Sequence, residues 1–426
     1  VSGAVPWGLR CVDCGAGHPG DEVRYRCGCG GTLDVEHDLE AARAALSPET
    51  FDRRLGERSP LSRSGVWRFR ELVLPLDEEH VVTRLEGGTP LYDAPRVAAW
   101  AGLDALLLKH EGENPTGSFK DRGMTVGVSM ARRLGMTRVA CASTGNTSAS
   151  MASYAATAGM EAIVFIPAGQ IAYGKLAQAL AYGARTLQVA GDFDDAMRLV
   201  ERVCAERGVY LLNSVNPFRI EGQKAIAFEI LQDLGWEVPD WIVLPGGNLG
   251  NSSALHKALA ELHALGWIAR LPRIAVVQAA GANPLYTAWK GGAELVPVEG
   301  ARTLATAIKI GNPVSWKKIR RGLGGGGGVV EEVTDQEIMD AKAVVDAAGI
   351  GAEPASCATV AGVRKLVAQG VIRADERVCG VLTGHLLKDP DATLGYHRGE
   401  LEGIVSTHAN APVRVGAGLE EVLRHL

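Results

Sequence analysis

The sequence predicts an α/β protein of two open, twisted sheet domains with flanking helices, preceded by a cysteine-rich amino-terminal extension. Three observations predict this. Strand-length apolar runs (RVACA, AIVFIPAG, TLQVAG and VYLLN) recur between Arg138 and Asn213, separated by segments with alanines, leucines and charges at helical spacing. A second series begins at WIVLP (residues 241–245) and continues with IAVVQAAG from Ile274 and VCGVLTG from Val378. Strand and helix alternation of this kind builds parallel sheets covered by helices, and two series imply two domains with a cleft between them. Four of the eight cysteines, finally, crowd between Cys11 and Cys29.

The length of 426 residues, 46% hydrophobic and 22% charged, suits a soluble globular chain of about two domains. A net charge of -5 creates no field aimed at a polyanion, which disfavours a nucleic-acid partner. No apolar run approaches the ~18 residues of a membrane span, and no signal-peptide apolar region precedes the cysteines, so the expected location is the cytoplasm. A homodimer is the symmetric default. The expected division is an extension over residues 1–75, irregular apart from a short helix near Glu40 to Leu46. A large domain over 76–115 and 213–426 and a small domain over 116–212 follow. The glycine run at Gly322 to Gly328 is expected to be a flexible loop.

In parallel sheets ligands sit beyond the carboxyl ends of strands, so the loops there are the places to search. From His110 to Gly135 the segment HEGENPTGSFKDRGMTVGVSMARRLG reads as a turn and a helix, with Ser118 capping the first turn, Asp121 near the positive helix end and Gly135 as the stop. Lys120 falls in that first turn, where burial lowers a lysine's pKa and makes it a nucleophile toward an aldehyde. ASTGNTSAS places Ser143, Thr144, Asn146, Thr147 and Ser148 where a helix opens, a setting for a carboxylate or a ring edge. PGGNLGNSS, with Gly246, Gly247 and Gly250, has a backbone able to close round a phosphate. A reactive lysine and two anion-ready loops together fit one phosphorylated carbonyl cofactor, and pyridoxal phosphate meets that description.

The segment ENPTGSFKDRG resembles the lysine motif of the β-family (fold type II) of pyridoxal-phosphate enzymes. With HVVTRLEGGTPL, STGNTSAS, NSVNPFRIEGQK at Asn213 to Lys224, AEPASCATVAG at Ala352 to Gly362 and LTGHLLKDP at Leu382 to Pro390, the chain is similar to the threonine synthases along nearly its whole length. The resemblance implies that Lys120 binds the cofactor as an imine and then moves protons. It implies that Phe119 flanks the cofactor, Asn146 bonds its ring hydroxyl, and Gly246, Gly247, Asn248, Leu249 and Gly250 cradle its phosphate. Thr383 would meet the pyridine nitrogen.

For the substrate, the resemblance implies that Ser143, Thr144 and Thr147 hold the amino-acid carboxylate, that Asn213, Ser214 and Arg219 bind a terminal phosphate, and that Lys109 adds charge nearby. The implied reaction converts O-phospho-L-homoserine and water to L-threonine and phosphate. A cysteate synthase-like enzyme acting on O-phosphoserine, a threonine or serine dehydratase, and a catalytically silent scaffold of the same fold are the alternatives. Arg219 speaks against the dehydratase, because a guanidinium fork suits a phosphate and a simple hydroxy-amino acid gives it nothing to grip, while O-phosphoserine would place its phosphate one carbon nearer the cofactor.

One departure lies in TGHLLKD, where similar enzymes carry glycine in place of Leu386; the bulky side chain is expected close to the ring-nitrogen contact. His385 and Lys388 read as local structure. Cys11, Cys14, Cys27 and Cys29 form C-x2-C-x12-C-x-C, a ligand set suited to a structural zinc, with His18 or His37 able to replace one thiolate. Free or redox-labile thiols and an iron site are the other readings.

Overall fold

A computed structural model describes residues 5–168 and 173–426. Thirteen strands among them run in chain order: β1 (Trp7–Cys11), β2 (Gly17–His18), β3 (Leu33–His37), β4 (Leu91–Asp93), β5 (Leu106–His110), β6 (Arg138–Ala142), β7 (Glu161–Pro167), β8 (Arg185–Val189), β9 (Tyr210–Leu211), β10 (Trp241–Pro245), β11 (Arg273–Ala279), β12 (Val329–Val333) and β13 (Val378–Leu382). They form a three-stranded sheet in the order β2-β1-β3, a six-stranded sheet in the order β12-β11-β10-β13-β5-β4, and a four-stranded sheet in the order β8-β7-β6-β9. Each apolar run expected to be a strand lies on one; Gly169, at the end of AIVFIPAG, is outside the described residues.

The two larger sheets are parallel except for edge strand β4, which runs antiparallel to β5. Every residue of WIVLP and VCGVL is buried, as a strand covered by helices on both faces requires. In the six-stranded sheet the chain moves outward from β10 through β11 to β12, then returns to place β13 on the other side of β10. In the four-stranded sheet β7 and β9 flank β6 in the same way. Each sheet therefore has a switch point, where loops diverge and leave a crevice.

Two expectations are corrected. Residues 5–75 hold more regular structure than expected: LDVEH alternates buried with part- or fully exposed positions and pairs antiparallel with β1. The segment goes on through helices Leu39–Ala45 and Pro48–Leu55. It docks by aromatic contacts, with Phe69 on Phe228 at 5.3 Å and Trp7 edge-on to Phe218 at 5.9 Å between ring centroids. The glycine run is not a loop either. Helix Trp316–Gly326 continues through it and stops at Gly327 in the left-handed conformation, because Leu323 is buried and Gly322 lies where a Cβ would meet the His256 ring at 2.4 Å.

Two helices set the frame of the cleft. The lysine helix (Lys120–Arg133) and the arginine helix (Pro217–Asp233) cross so closely that a Cβ on Gly222 would lie 1.8 Å from the Arg122 carbonyl oxygen, and one on Gly123 would lie 2.7 Å from that of Arg219. A buried ionic network locks the crossing. Arg122 donates to both carboxylate oxygens of Glu111, at 2.6 and 2.7 Å, and to Glu229 at 2.6 Å. Lys109 lies 3.0 Å from Glu229 and 2.9 Å from Asp233, and the Gly88 amide donates to Glu229 at 2.6 Å. Burial alone would raise the Glu229 pKa, but Arg122, Lys109 and Arg68 hold it well below the usual carboxylate range.

Removing one partner of such a network leaves uncompensated buried charge. Glu229→Gln should therefore cost about 3–5 kcal/mol in equilibrium denaturation. A loss below about 1 kcal/mol, the value of an exposed pair, would contradict the network's role.

Candidate active site

The crevices of the two switch points open into one cavity. Its lining includes Lys120 and Phe119 from the lysine helix and its approach, Asn146 after β6, Ser214 after β9, Arg219 and Gln223 on the arginine helix, Gly247 to Asn251 after β10, and Thr383 after β13. Four strand ends and two helix faces thus supply the site.

Lys120 opens its helix rather than riding on it. Phe119 occupies the cap position and donates its amide to the Thr383 carbonyl at 3.0 Å, tying the lysine to the end of β13. Ser118 accepts from the Lys120 amide at 3.4 Å. Asp121 does not serve the helix end: it turns back to accept from the Thr116 amide and hydroxyl at 2.7 and 2.6 Å, and from Ser150. The Lys120 ammonium stands 3.7 Å from the centre of the Phe119 ring. Burial, and then the Arg219 charge, pull its pKa down to about 7, against the opposing influence of Glu353.

The loop after β10 is shaped by its backbone. The Gly246 amide donates to Val277 at 2.7 Å, and Gln278 donates to the Gly246 carbonyl at 3.1 Å. Leu249 adopts φ 63°, a left-handed conformation uncommon for a branched side chain, and helix Gly250–Leu265 starts directly after it. At β13, Ser356 accepts from the amides of Thr383 and Gly384 at 2.8 and 2.9 Å, with its hydroxyl 3.1 Å from that of Thr383.

Several buried polar atoms in this lining have no hydrogen-bond partner: Arg219 Nε, Gln223 Oε1 and both terminal atoms of Asn251. Buried polar groups are normally satisfied, so this cluster marks a cavity made for a polar, hydrogen-bonding ligand. Arg219 keeps one bond, Nη1 to the Leu212 carbonyl at 3.0 Å, and burial lowers its pKa to about 10, which still leaves it charged. Two cations, Lys120 and Arg219, thus face a lining whose acid is Glu353. Together with loop amides after β10, the residues fit pyridoxal phosphate, an aldehyde carrying an anionic group.

Glu353 was not singled out in the sequence. It accepts from Asn146 at 3.2 and 3.3 Å through its two oxygens, and burial raises its pKa against the pull of Asn146, Lys120 and Lys388. Its position directly before Pro354, at the opening of a helix within AEPAS, was the available signal. Asn251 and Gln223 were likewise missed although they lie in PGGNLGNSS and NSVNPFRIEGQK, and Ala307 and Ile308 were missed because only tertiary packing brings them to the cavity.

Other expected site residues stand elsewhere. Lys109 does not add charge to the cavity; its ammonium is consumed by Glu229, Asp233 and the Thr89 carbonyl. Asn213 exchanges both amide atoms with the Ala142 backbone, at 2.9 and 3.0 Å, and so fastens β6 to the segment after β9 instead of facing a ligand. Ser143, Thr144 and Thr147 occupy the loop and first helical turn beside Asn146 without lining the cavity, and Gly246 lies just behind Gly247. Leu386 packs toward Gly351 and not into the lining, so Thr383 keeps its place. His385 donates its amide to Gly117 at 2.9 Å, and Lys388 meets Gln178.

A second constellation lies in the amino-terminal module. The four cysteine sulfurs are within 4.8 Å of one another, Cys11 to Cys29 at 3.5 Å and Cys14 to Cys27 at 3.6 Å. Tetrahedral thiolates about 2.3 Å from a zinc ion stand about 3.8 Å apart, so this spacing suits one ion. His18 Nε2 is 3.3 Å from the Cys27 sulfur and lies outside the group of four. His37 is not near the cysteines: it is buried about 3.9 Å from Glu221 and Glu261, among carboxylates already paired with Lys224 and Lys257.

A buried, low-pKa lysine facing a phosphate-ready loop across two switch points defines an enzyme that carries an aldehyde cofactor. The profile of pyridoxal-phosphate dependent enzymes matches residues 82–384. Relatives named threonine synthase are 47% identical over 387 residues in Methanocaldococcus jannaschii (90% of this chain, 94% of that protein) and 49% identical over 389 residues in Methanosarcina acetivorans (91% and 93%). A chloroplastic threonine synthase 2 from Arabidopsis thaliana is 41% identical, covering 95% of this chain and 80% of its own. The chain belongs to the pyridoxal-phosphate-dependent enzymes and, within them, to the threonine synthase family. Its fold also matches a solved threonine deaminase from Solanum lycopersicum, with a TM-score of 0.64 at 19% identity over 77% of this chain and 92% of that one.

The lysine's depressed pKa has a kinetic consequence. Cofactor uptake by the apoprotein should accelerate as pH rises through about 7, where Lys120 loses its proton. The unfolded chain keeps that proton up to the ordinary value of about 10.5, so apoprotein stability should also rise between these values. A midpoint for uptake above about 9 would show an unperturbed lysine.

Proposed function

We propose that this chain converts O-phospho-L-homoserine and water to L-threonine and phosphate, with pyridoxal phosphate bound at Lys120. The observation that carries the substrate assignment is Arg219: a buried guanidinium in the cavity, its Nε without a partner, on a helix adjoining Lys120. A substrate phosphate supplies the missing acceptor, which a dehydratase substrate lacks.

The cofactor, when bound, supplies an electron sink for charge developing beside the amino-acid carboxylate. Lys120 would hold the cofactor and, once freed from it, would take a proton as a neutral amine and return it as an ammonium. The amides of residues 246–250 would grip the cofactor phosphate, Phe119 would lie beside the ring, Asn146 would meet the ring hydroxyl and Thr383 the ring nitrogen. Ser143, Thr144 and Thr147, which flank Asn146 without lining the cavity, would have to turn toward it to receive the substrate carboxylate where the helix from Asn146 opens. Ser214 joins Arg219 at the substrate phosphate; it accepts from Asn248 at 3.1 Å, which sets the two anion sites side by side. The sites differ in chemistry: loop amides hold a permanent resident, and a charged fork holds a leaving group.

We also assign one structural zinc to Cys11, Cys14, Cys27 and Cys29, and take the enzyme to be a cytoplasmic homodimer, the commonest closed assembly. The three-part division of the chain at residues 75, 115 and 212 belongs to the same reading, supported by β4, β5 and β10–β13 sharing one sheet while β6–β9 form another. No helix among the described residues is long and apolar enough to cross a membrane.

Purified protein offered O-phosphohomoserine, O-phosphoserine with and without sulfite, and threonine should yield threonine and phosphate from the first alone. Turnover only of O-phosphoserine or threonine would overturn the assignment. Arg219→Lys should lower kcat/KM for O-phosphohomoserine about 10- to 100-fold, the worth of a charge-assisted bond whose fork geometry is lost; an unchanged value would move the substrate phosphate elsewhere.

Protein prepared without added metal should contain about one zinc per chain. Cys11→Ser should lose it and melt at lower temperature, and a metal-free protein of unchanged thermal stability would refute the zinc.

A further inference from the structure

A continuous set of contacts joins the cysteine loop to the cofactor cavity, and no step above uses it. Arg321, on helix Trp316–Gly326, donates to the Val12 carbonyl inside the first cysteine loop. Asp13, the next residue, lies 3.2 Å from Lys317 and 3.9 Å from Arg321. Gly31 permits this arrangement, since a Cβ there would stand 2.8 Å from the Cys11 sulfur and 2.9 Å from the Asp13 carboxylate. On β3, Lys318 donates to the Leu33 carbonyl at 2.8 Å and to Asp34 at 2.6 Å.

Directly before its first turn, next to Lys317 and Lys318, the same helix meets the loop after β10. The Val314 amide donates to the Asn248 side-chain oxygen at 2.7 Å, and the Ser315 amide donates to the Asn248 carbonyl at 3.3 Å. Ser253 donates to the Ser315 carbonyl at 3.3 Å. Asn248 lines the cavity, and Leu249 beside it holds a left-handed backbone. A non-glycine residue in that region costs about 1–3 kcal/mol and persists only where neighbours fix it.

The anchors differ in strength. The Asp13 pairs are part-exposed and worth about 0–1 kcal/mol each. Lys318, with its side chain 7% exposed, and Arg321 make charge-assisted bonds to carbonyls, worth roughly twice neutral ones. Lys318 and Arg321 are therefore the residues through which the module holds the helix.

We propose that the amino-terminal cysteine module is a positioning element for the cofactor-phosphate loop: it holds helix Trp316–Gly326 through Arg321 and Lys318, and that helix holds Asn248. The inference rests on the assignment of residues 246–250 to the cofactor phosphate. The module, more than 210 residues away in sequence, thereby governs how tightly the chain retains its cofactor without contributing an atom to the cavity lining.

Apoproteins of Arg321→Met, Lys318→Met, Asn248→Ala and an exposed control, Lys290→Met, would be titrated with pyridoxal phosphate and with pyridoxal, following the visible band of the lysine-bound cofactor. Arg321→Met and Lys318→Met should each weaken pyridoxal phosphate about 3- to 10-fold while leaving pyridoxal within about 2-fold, because only the phosphate grip is disturbed. Asn248→Ala should weaken pyridoxal phosphate at least as much, and the control should match wild type. If Asn248→Ala has no effect, the helix's hold on the loop does not matter and the positioning role is overturned; if wild type binds pyridoxal as tightly as pyridoxal phosphate, the phosphate-loop assignment itself fails. If Asn248→Ala weakens binding and the two anchor variants bind like wild type, the positioning role is overturned. Equal losses for both ligands would mean general loosening and would overturn it too. Arg321, with its side chain 59% exposed, carries the test if Lys318→Met does not fold.

Discussion

The close crossing of the lysine and arginine helices is the constraint on which the rest depends. Gly222 and Gly123 let the backbones meet at a distance no Cβ would tolerate, and Gly127 adds a third point where a Cβ would lie 2.7 Å from Leu212. The crossing brings two basic groups, Lys120 and Arg219, to one cavity, which is electrostatically costly whenever Lys120 is protonated. The cost is met from below. Arg122 on one helix and Glu229 on the other are fastened to each other, to Glu111 and to Lys109, so repulsion at the cavity cannot separate the helices. Bound anions then relieve that repulsion.

The sheets supply the other half of the site. Loops that diverge at a switch point leave main-chain amides and short polar side chains facing a gap, and here the gaps of two sheets face one another. The larger sheet presents the loop after β10 and Thr383, and the smaller presents Asn146 and Ser214. A cofactor between them would touch both, so residues far apart in sequence could act on one ring. Ser356 and Gln278 keep the loop backbones in place through hydrogen bonds to the Thr383 and Gly384 amides and the Gly246 carbonyl.

Much of this was legible in the sequence, for physical reasons that also explain the failures. Strands buried on both faces announce themselves as continuous apolar runs, so β6, β7, β10, β11 and β13 and the loops after them could be placed. Lys120, Phe119, Asn146, Ser214, Arg219, Asn248 and Thr383, picked from those loops and helix ends, do line one cavity, while the roles given to them come from motifs that resemble a family. Lys109 and Asn213 misled because charge and polarity do not reveal a partner: Glu229 and the Ala142 backbone are supplied by tertiary structure. The amino-terminal sheet was missed because five residues of alternation in LDVEH give little periodicity. The glycine run was misread because its helix is stabilised by packing of Leu323 and His256, not by propensity.

The central claim is that Lys120 alone holds the cofactor. Among the other lysines near the cleft, Lys109 is locked in an ion network and Lys388 meets Gln178, so neither presents a free amine to the cavity. Borohydride reduction of the cofactor-loaded enzyme makes the lysine–cofactor bond permanent, and peptide mass spectrometry then reads which residue carries it. The account predicts a single modified site at Lys120, absent in Lys120→Ala. Modification at Lys109, Lys388 or any other lysine in place of Lys120 would contradict it.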